Sequence, residues 1–165
     1  MKKIKIIFCA SSKSIHSHKW INYFVNDKYE ITWISFGDHN FEDEKNFKID
    51  KNVNFISFVK PRFIIEWLFI YIKLKKITSK LKPNFVHIHS VGYYGILGLL
   101  LKNKNKIYTI WGSDLLINRN NFFKLILIKL MLKQAKLITT DAFHIKNLIN
   151  DLGLKKSVEI INFGI

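Results

Sequence analysis

What this chain lacks narrows its identity before any motif is read. It has one cysteine, Cys9, so no internal disulfide can form. The apolar run 4–10 around that thiol marks it as a small buried side chain. With no signal-peptide pattern at the start, a reducing, cytoplasmic compartment is expected. Arginine is almost as scarce: only Arg62 and Arg119 stand among 27 basic residues. Recognition of bases and phosphates favours arginine forks, so a net charge of +15 does not here imply nucleic acid, and no nucleic-acid partner is expected. Glycine never falls into a G-x-G-x-x-G fingerprint, and the Walker lysine pattern is missing too. No apolar run can span a bilayer: 63–72 is too short and contains Glu66, and lysines interrupt 121–134.

What is present is a globular core. Apolar residues make up 48% of the chain and aromatics 15%, which excludes disorder, and 165 residues suit a single domain. Lysine, asparagine, isoleucine and phenylalanine abound together, as an AT-rich coding sequence would produce without functional cause. The alternative reading of the charge is attraction to an anionic membrane surface.

Short β-branched runs alternate with segments of helical period. Strands are expected at 3–9, 30–36, 53–59, 84–89, 106–110, 136–140 and 158–161. Helices are expected at 16–26, from Pro61 to just before Pro83, and at 92–101, 121–134 and 142–152. This alternation predicts an α/β, Rossmann-like parallel sheet of about seven strands with helices on both faces. The polar segment 37–50, carrying Asp38, Glu42, Asp43 and Glu44, is the longest expected loop. Two helices carry more apolar surface than a sheet can cover. In the first, Phe63, Trp67, Ile70, Leu74, Ile77 and Leu81 form the core stripe, and Ile65, Phe69 and Ile72 lie opposite. In the second, Phe123, Leu127 and Leu130 form one row and Leu125, Ile128 and Leu132 another. Such helices are either buried in a larger assembly or lie in an interface.

Ligands of open parallel sheets bind beyond the carboxyl ends of the strands, so each polar cluster is judged by that position. The first strand hands over to Ser11, Ser12, Ser14 and His16, where free helix N–H groups attract anions. Ser14 doubles as a helix cap, and His16 reads equally as an exposed helix-start residue. His87 and His89 point to one face of their strand. Metal binding is disfavoured because no third ligand is evident. His87 reads as a satisfied structural histidine. His89, nearer the strand end, is expected to open toward a cleft with Ser90 beside it, its neutral imidazole bonding a sugar hydroxyl or stabilising charge. Gly92, Gly95 and Gly98 weaken a helix, so close packing on the sheet, or second to it close approach of a substrate, is expected to require them. After the next strand, Gly112 permits a tight turn that brings Ser113 and Asp114 into the same space. Asp114 is a candidate base or hydroxyl ligand, and equally a cap for the 115–116 turn. Asp141, ending the sixth strand, reads chiefly as a helix cap.

The order of these clusters resembles glycosyltransferase family 4. The carriers are Ser-Ile-His, His-Ile-His-Ser, Thr-Ile-Trp-Gly-Ser-Asp, Leu-Ile-Thr-Thr-Asp and the closing Ile-Asn-Phe-Gly-Ile. The likeness is to the N-terminal, acceptor-binding half of a GT-B enzyme and covers essentially the whole chain. It implies a metal-independent, retaining transfer of a sugar from a nucleotide-sugar donor, with no cofactor. The implied acceptor is a sugar or lipid-linked glycan of lipopolysaccharide, capsule or exopolysaccharide synthesis, met at the inner face of a bacterial membrane. His89 and Asp114 would be catalytic. Ser11, Ser12, His16, Ser90, Gly112, Ser113 and Asp141 would bind substrate. The donor-binding domain of the family is absent, so the chain alone is expected to be inactive. Two alternatives stay open: a non-catalytic docking subunit of a split glycosyltransferase, and a nucleotide-binding Rossmann module.

Overall fold

The computed structural model describes residues 2–37 and 48–161. Asp38, Glu42, Asp43 and Glu44 of the expected loop, and the closing Asn162-Phe163-Gly164-Ile165, lie outside the described residues. Seven strands form one sheet: β1 (Ile4–Cys9), β2 (Tyr29–Phe36), β3 (Val53–Phe58), β4 (Phe85–His89), β5 (Lys106–Ile110), β6 (Ala135–Thr140) and β7 (Val158–Ile160). Every pairing is parallel, and the order is β3-β2-β1-β4-β5-β6-β7. The helices are α1 (Ile15–Tyr23), α2 (Ile64–Leu81), α3 (Tyr93–Leu100), α4 (Ser113–Asn118), α5 (Phe122–Lys133) and α6 (Phe143–Asp151). Only α4 goes beyond the expected set, where a turn at 115–116 was read.

The helices divide unequally between the two faces. Leu74 of α2, Leu97 of α3, Met131 of α5 and Ile149 of α6 pack with Ile88, Tyr108 and Ile138 into one core. On the other face Ile21 of α1 packs with Phe8, Ile31 and Trp33. Right-handed crossovers account for the split: the chain steps one way from β1 to β3, then returns and steps the other way from β4 to β7.

Helix α2 shows how local chemistry sets the boundaries. Pro61 stays outside it. Glu66 turns back to accept N–H bonds from Phe63 (2.9 Å) and Arg62, satisfying donors that a helix start leaves free. Those bonds hold the exposed carboxyl below its usual range. At the other end Lys82 adopts a left-handed conformation (φ 49°) directly before Pro83. The expected core stripe packs inward from Trp67 to Leu81. Phe63, at the head of that stripe, is exposed instead, since it sits at the cap rather than within the helix.

The three spaced glycines are explained unevenly. A Cβ on Gly98 would strike Tyr108 Oη and come within 2.9 Å of Ile88 Cγ1, so α3 lies against the sheet only because this position has no side chain. At Gly95 the nearest obstacle is Met131 Sδ, 2.6 Å away. Gly92 meets nothing closer than Ser90 Oγ at 3.4 Å and is the N-cap of α3 rather than a packing residue. Accordingly Gly98→Ala should destabilise by about 2 kcal/mol, the usual range for an overpacked core. Gly95→Ala should cost less, because a thioether can move and alanine favours helix by about 1 kcal/mol. Paired urea titrations check the ranking, and equal losses would refute it.

Candidate functional site

The reversal of strand order falls between β1 and β4, so the loops after these strands splay apart and leave a crevice. The clusters picked from sequence gather there. His16, exposed on the first turn of α1, lays its ring against Trp111, with centroids 4.8 Å apart. Trp111, just past β5, also meets the His89 ring at 5.7 Å. His16 and His89, 73 positions apart in sequence, are therefore joined through one indole. Trp111 was quoted in the motif but given no role, because an aromatic after a strand reads as ordinary core.

His89 is more enclosed than expected. It does not open to a cleft: it is 2% exposed, walled by Phe8, Trp20, His87 and Trp111. Neither of its ring nitrogens has a hydrogen-bond partner among the described residues. A buried polar group without a partner is costly, and native structures keep few of them outside sites of function or bound water. Burial holds His89 well below the ordinary imidazole range, with His87 adding to the effect. His87 is satisfied, as expected: its Nε2 lies 2.7 Å from Thr109 Oγ1, which lies 2.7 Å from Thr139 Oγ1. Burial pushes His87 down to about 3. Both imidazoles are neutral near pH 7.

The second half of the site is built by two turns. Ser90 has φ 87°, a conformation that side-chain-bearing residues seldom adopt, and its amide donates to Thr109 O at 2.8 Å. Gly112 turns at φ 91°. The paired turns bring Asp114 across to β4. Its Oδ2 accepts the Val91 N–H at 2.7 Å, its Oδ1 accepts the Leu115 N–H at 3.0 Å, and Ser90 bonds its carboxylate. Burial raises the carboxyl above its usual range, and these bonds oppose the rise. Asp114 thus ties the β4 and β5 loops together while keeping a basic, partly enclosed carboxylate. Ser113 is exposed beside it.

Two expected site residues, Ser12 and Asp141, and one expected cap, Ser14, are placed differently. Ser12 is 1% exposed, its amide and hydroxyl engaged by Ser35 Oγ at 2.9 and 3.2 Å, so it braces the loop from within. Ser14 occupies the N-cap of α1, but its side chain makes no capping bond. Asp141 is exposed and makes no cap either, because α6 starts one residue later, at an N-cap formed by Ala142. Ser11 accepts the Lys13 N–H at 3.3 Å and is half-buried at the loop surface. Among the described residues no three histidine, cysteine, aspartate or glutamate side chains form a group that could hold a metal ion.

The family model described as glycosyl transferase 4-like matches residues 5–142. The chain belongs to this family. No curated protein matches the sequence. Among solved structures, sucrose-phosphate synthase from Thermosynechococcus elongatus is similar, with a TM-score of 0.64 at 9% identity, covering 97% of this chain and 48% of that one. A second, shorter chain of that synthase gives 0.62 at 12% identity, covering 99% of this chain and 90% of its own length. At such identities the likeness is one of fold. This glycosyl transferase 4-like chain spans about half the length of the first synthase chain, consistent with the N-terminal part of a GT-B enzyme.

The histidine pair makes stability depend on pH. Unfolded histidines titrate near 6.5, whereas here they stay neutral far lower, so the unfolded chain binds more protons as pH falls below about 6.5. Stability should therefore decline from pH 6.5 toward 4, by up to about 1.4 kcal/mol per pH unit for each histidine. Asp114 acts oppositely, but only between the ordinary carboxylate value and its own raised one. Urea midpoints at pH 7, 6 and 5 should fall in wild type and fall less steeply in His89→Gln. Parallel slopes would contradict the assignment.

Proposed function

We propose that this chain is the acceptor-side half of a retaining, metal-independent sugar transferase, and that a donor-binding half supplies the nucleotide-sugar. The observation that carries the reading is the convergence of His16, Trp111, His89, Ser90 and Asp114 at the switch point. The acceptor is the hydroxyl of a surface glycan, sugar or lipid-linked, as in lipopolysaccharide, capsule or exopolysaccharide synthesis. In this reading the enclosed, neutral His89 acts on the reacting sugar through its fixed dipole, across the ring of Trp111 and without touching the sugar, where low dielectric strengthens the effect. Asp114, made more basic by burial, draws on the acceptor hydroxyl as the bond to the anomeric carbon forms and the bond to the departing nucleotide diphosphate breaks. Ser11, His16, Ser90, Gly112 and Ser113 line the approach to these two groups. Without its donor-binding half the chain does not turn over. A second reading, a non-catalytic docking subunit, is favoured by the exposed apolar face of α2.

Assayed as the complete two-domain enzyme, His89→Ala and Asp114→Asn should each lower kcat by about 100-fold or more. Asparagine keeps an acceptor for Val91, so the loop remains tied. Near-normal transfer by both variants would leave the docking-subunit reading standing instead.

A peripheral membrane position at the cytoplasmic face belongs to the same proposal. Its support is the exposed row Ile64, Ile65, Leu68, Phe69 and Ile72 on α2, followed by exposed Lys73, Lys75, Lys76 and Lys80. Among the described residues no helix is long and apolar enough to cross a bilayer. Vesicles containing about one-third anionic lipid should sediment the chain at low salt, and 0.5 M salt should release most of it. Ile64→Glu with Phe69→Glu should weaken binding at every salt concentration. Failure to bind at low salt would reduce the charge to codon composition.

A further inference from the structure

The crevice uses the carboxyl edge of the sheet, and the amino edge carries a feature that the crevice leaves unused. There a wide-mouthed cavity of about 640 Å³ lies against the turn 101–105 that joins α3 to β5. Lys102, Lys104 and Lys106 line it with Asn103 and Gln134, and among the described residues no acidic side chain does. The volume suits a small molecule, and the lining suits an anion. The five residues of β5 span roughly 17 Å, so cavity and crevice lie at opposite ends of the strand.

Lys106 sets this cavity apart from a solvated basic surface. It is 3% exposed, and its ammonium donates to Gln134 Oε1. A buried cation is ordinarily met by a carboxylate, and an amide dipole offsets little of the cost of leaving water. Burial lowers the ammonium below its ordinary range. The same want of counter-charge recurs beside it. Lys136 Nζ donates to Asn105 Oδ1 at 3.2 Å, and Lys156 Nζ to Ala135 O at 2.8 Å. Among the described residues none of these three lysines reaches a carboxylate. Helix ends do not account for them: Lys80 and Lys133 complement the last turns of α2 and α5, whereas Lys106 and Lys136 lie in strands. The rim is also held in place. Asn103 Nδ2 donates to Pro83 O at 2.8 Å and Asn105 Nδ2 to Asn84 O at 3.0 Å, which ties the turn to the chain entering β4. Lys102, Lys104 and Gln134 are exposed, so the Lys106 ammonium lies one amide group below solvent.

We propose that this cavity binds the phosphate group of a small phosphorylated molecule, held by Lys102 and Lys104 from the turn and by Lys106 beneath, where the anion displaces the Gln134 amide. Lysine suits the role as a point charge that needs no fixed fork geometry. No crevice residue takes part, so the site stands whether or not the chain is half of a transferase.

Calorimetry with inorganic pyrophosphate, on the full chain in magnesium-free buffer at low salt, should show one equivalent bound. Lys106→Met, and separately Lys102→Gln with Lys104→Gln, should weaken binding about tenfold or more, the loss expected for charge-assisted contacts. Gln134→Glu supplies the missing carboxylate from within, so it should lower affinity at least as much and raise the thermal midpoint. That variant also decides the matter should Lys106→Met fail to fold. Lys73→Gln with Lys76→Gln removes as much charge from α2 and should leave affinity nearly unchanged. No binding at low salt would overturn the site, as would an equal loss in the α2 pair or an unchanged affinity in Gln134→Glu. Binding confined to phosphate headgroups on vesicles, with none of free pyrophosphate, would assign these lysines to a membrane surface instead.

Discussion

The fold depends on strand direction. A parallel sheet can be closed only by crossovers, and crossovers are right-handed, so every strand delivers its carboxyl end to the same edge. Once β1 and β4 lie side by side while their connections leave in opposite directions, their loops must part. The crevice is a topological consequence rather than a feature added to a finished domain. It also explains why helix N-termini, with their unpaired N–H groups, crowd the same edge. Ser11, His16, Ser90 and Asp114 come from three connections, yet none needs a long side chain to reach its neighbours.

Position alone would leave the loops free to spread, and hydrogen bonds to the backbone limit this. Asp114 accepts from Val91, Ser90 donates to Thr109, and Trp33 Nε1 donates to Ala10 O at 2.9 Å. Each is a side-chain or amide bond between different strands or their loops, made where the regular ladder has ended. Around them the polar chain His87–Thr109–Thr139 runs across three strands inside the sheet. It satisfies His87 and leaves His89 as the group without a partner at the end of β4. The contrast between two histidines two residues apart is informative: similar burial, opposite hydrogen-bond status. A structural explanation suffices for one and not for the other.

Periodicity made the fold legible. Strand positions, the parallel sheet and the inward stripe of α2 follow from residue spacing, since a buried strand and a two-faced helix differ in period. The site was legible only as a set of strand ends. That His89 would be enclosed by Trp111, or that Ser12 would turn inward to Ser35, depends on side chains 22 and 23 positions away. Trp111 was passed over because nothing local distinguishes an indole that bridges two histidines from one that fills a core. Helix α4 escaped notice because six residues are too few to show a helical period. The expected Asp141 cap failed by a single residue, about the shift by which helix ends commonly vary.

The exposed apolar residues follow a pattern of their own. Ile15, Ile64, Tyr93, Ile117, Phe122 and Phe143 are all exposed, and each lies in the first or last turn of a helix at the crevice edge or in the short α4 beside it. The lysines of α2 lie toward its other end, away from that edge. Along α2 the charge is thus concentrated toward one end, and charge and apolar surface act over different distances. Lysines attract an anionic surface across roughly one Debye length, about 8 Å at physiological salt. Apolar side chains contribute only after water is expelled, in proportion to the area covered. The first turns of the helices thus put exposed apolar side chains around the polar site, where covering them would expel the water that competes for its hydrogen bonds.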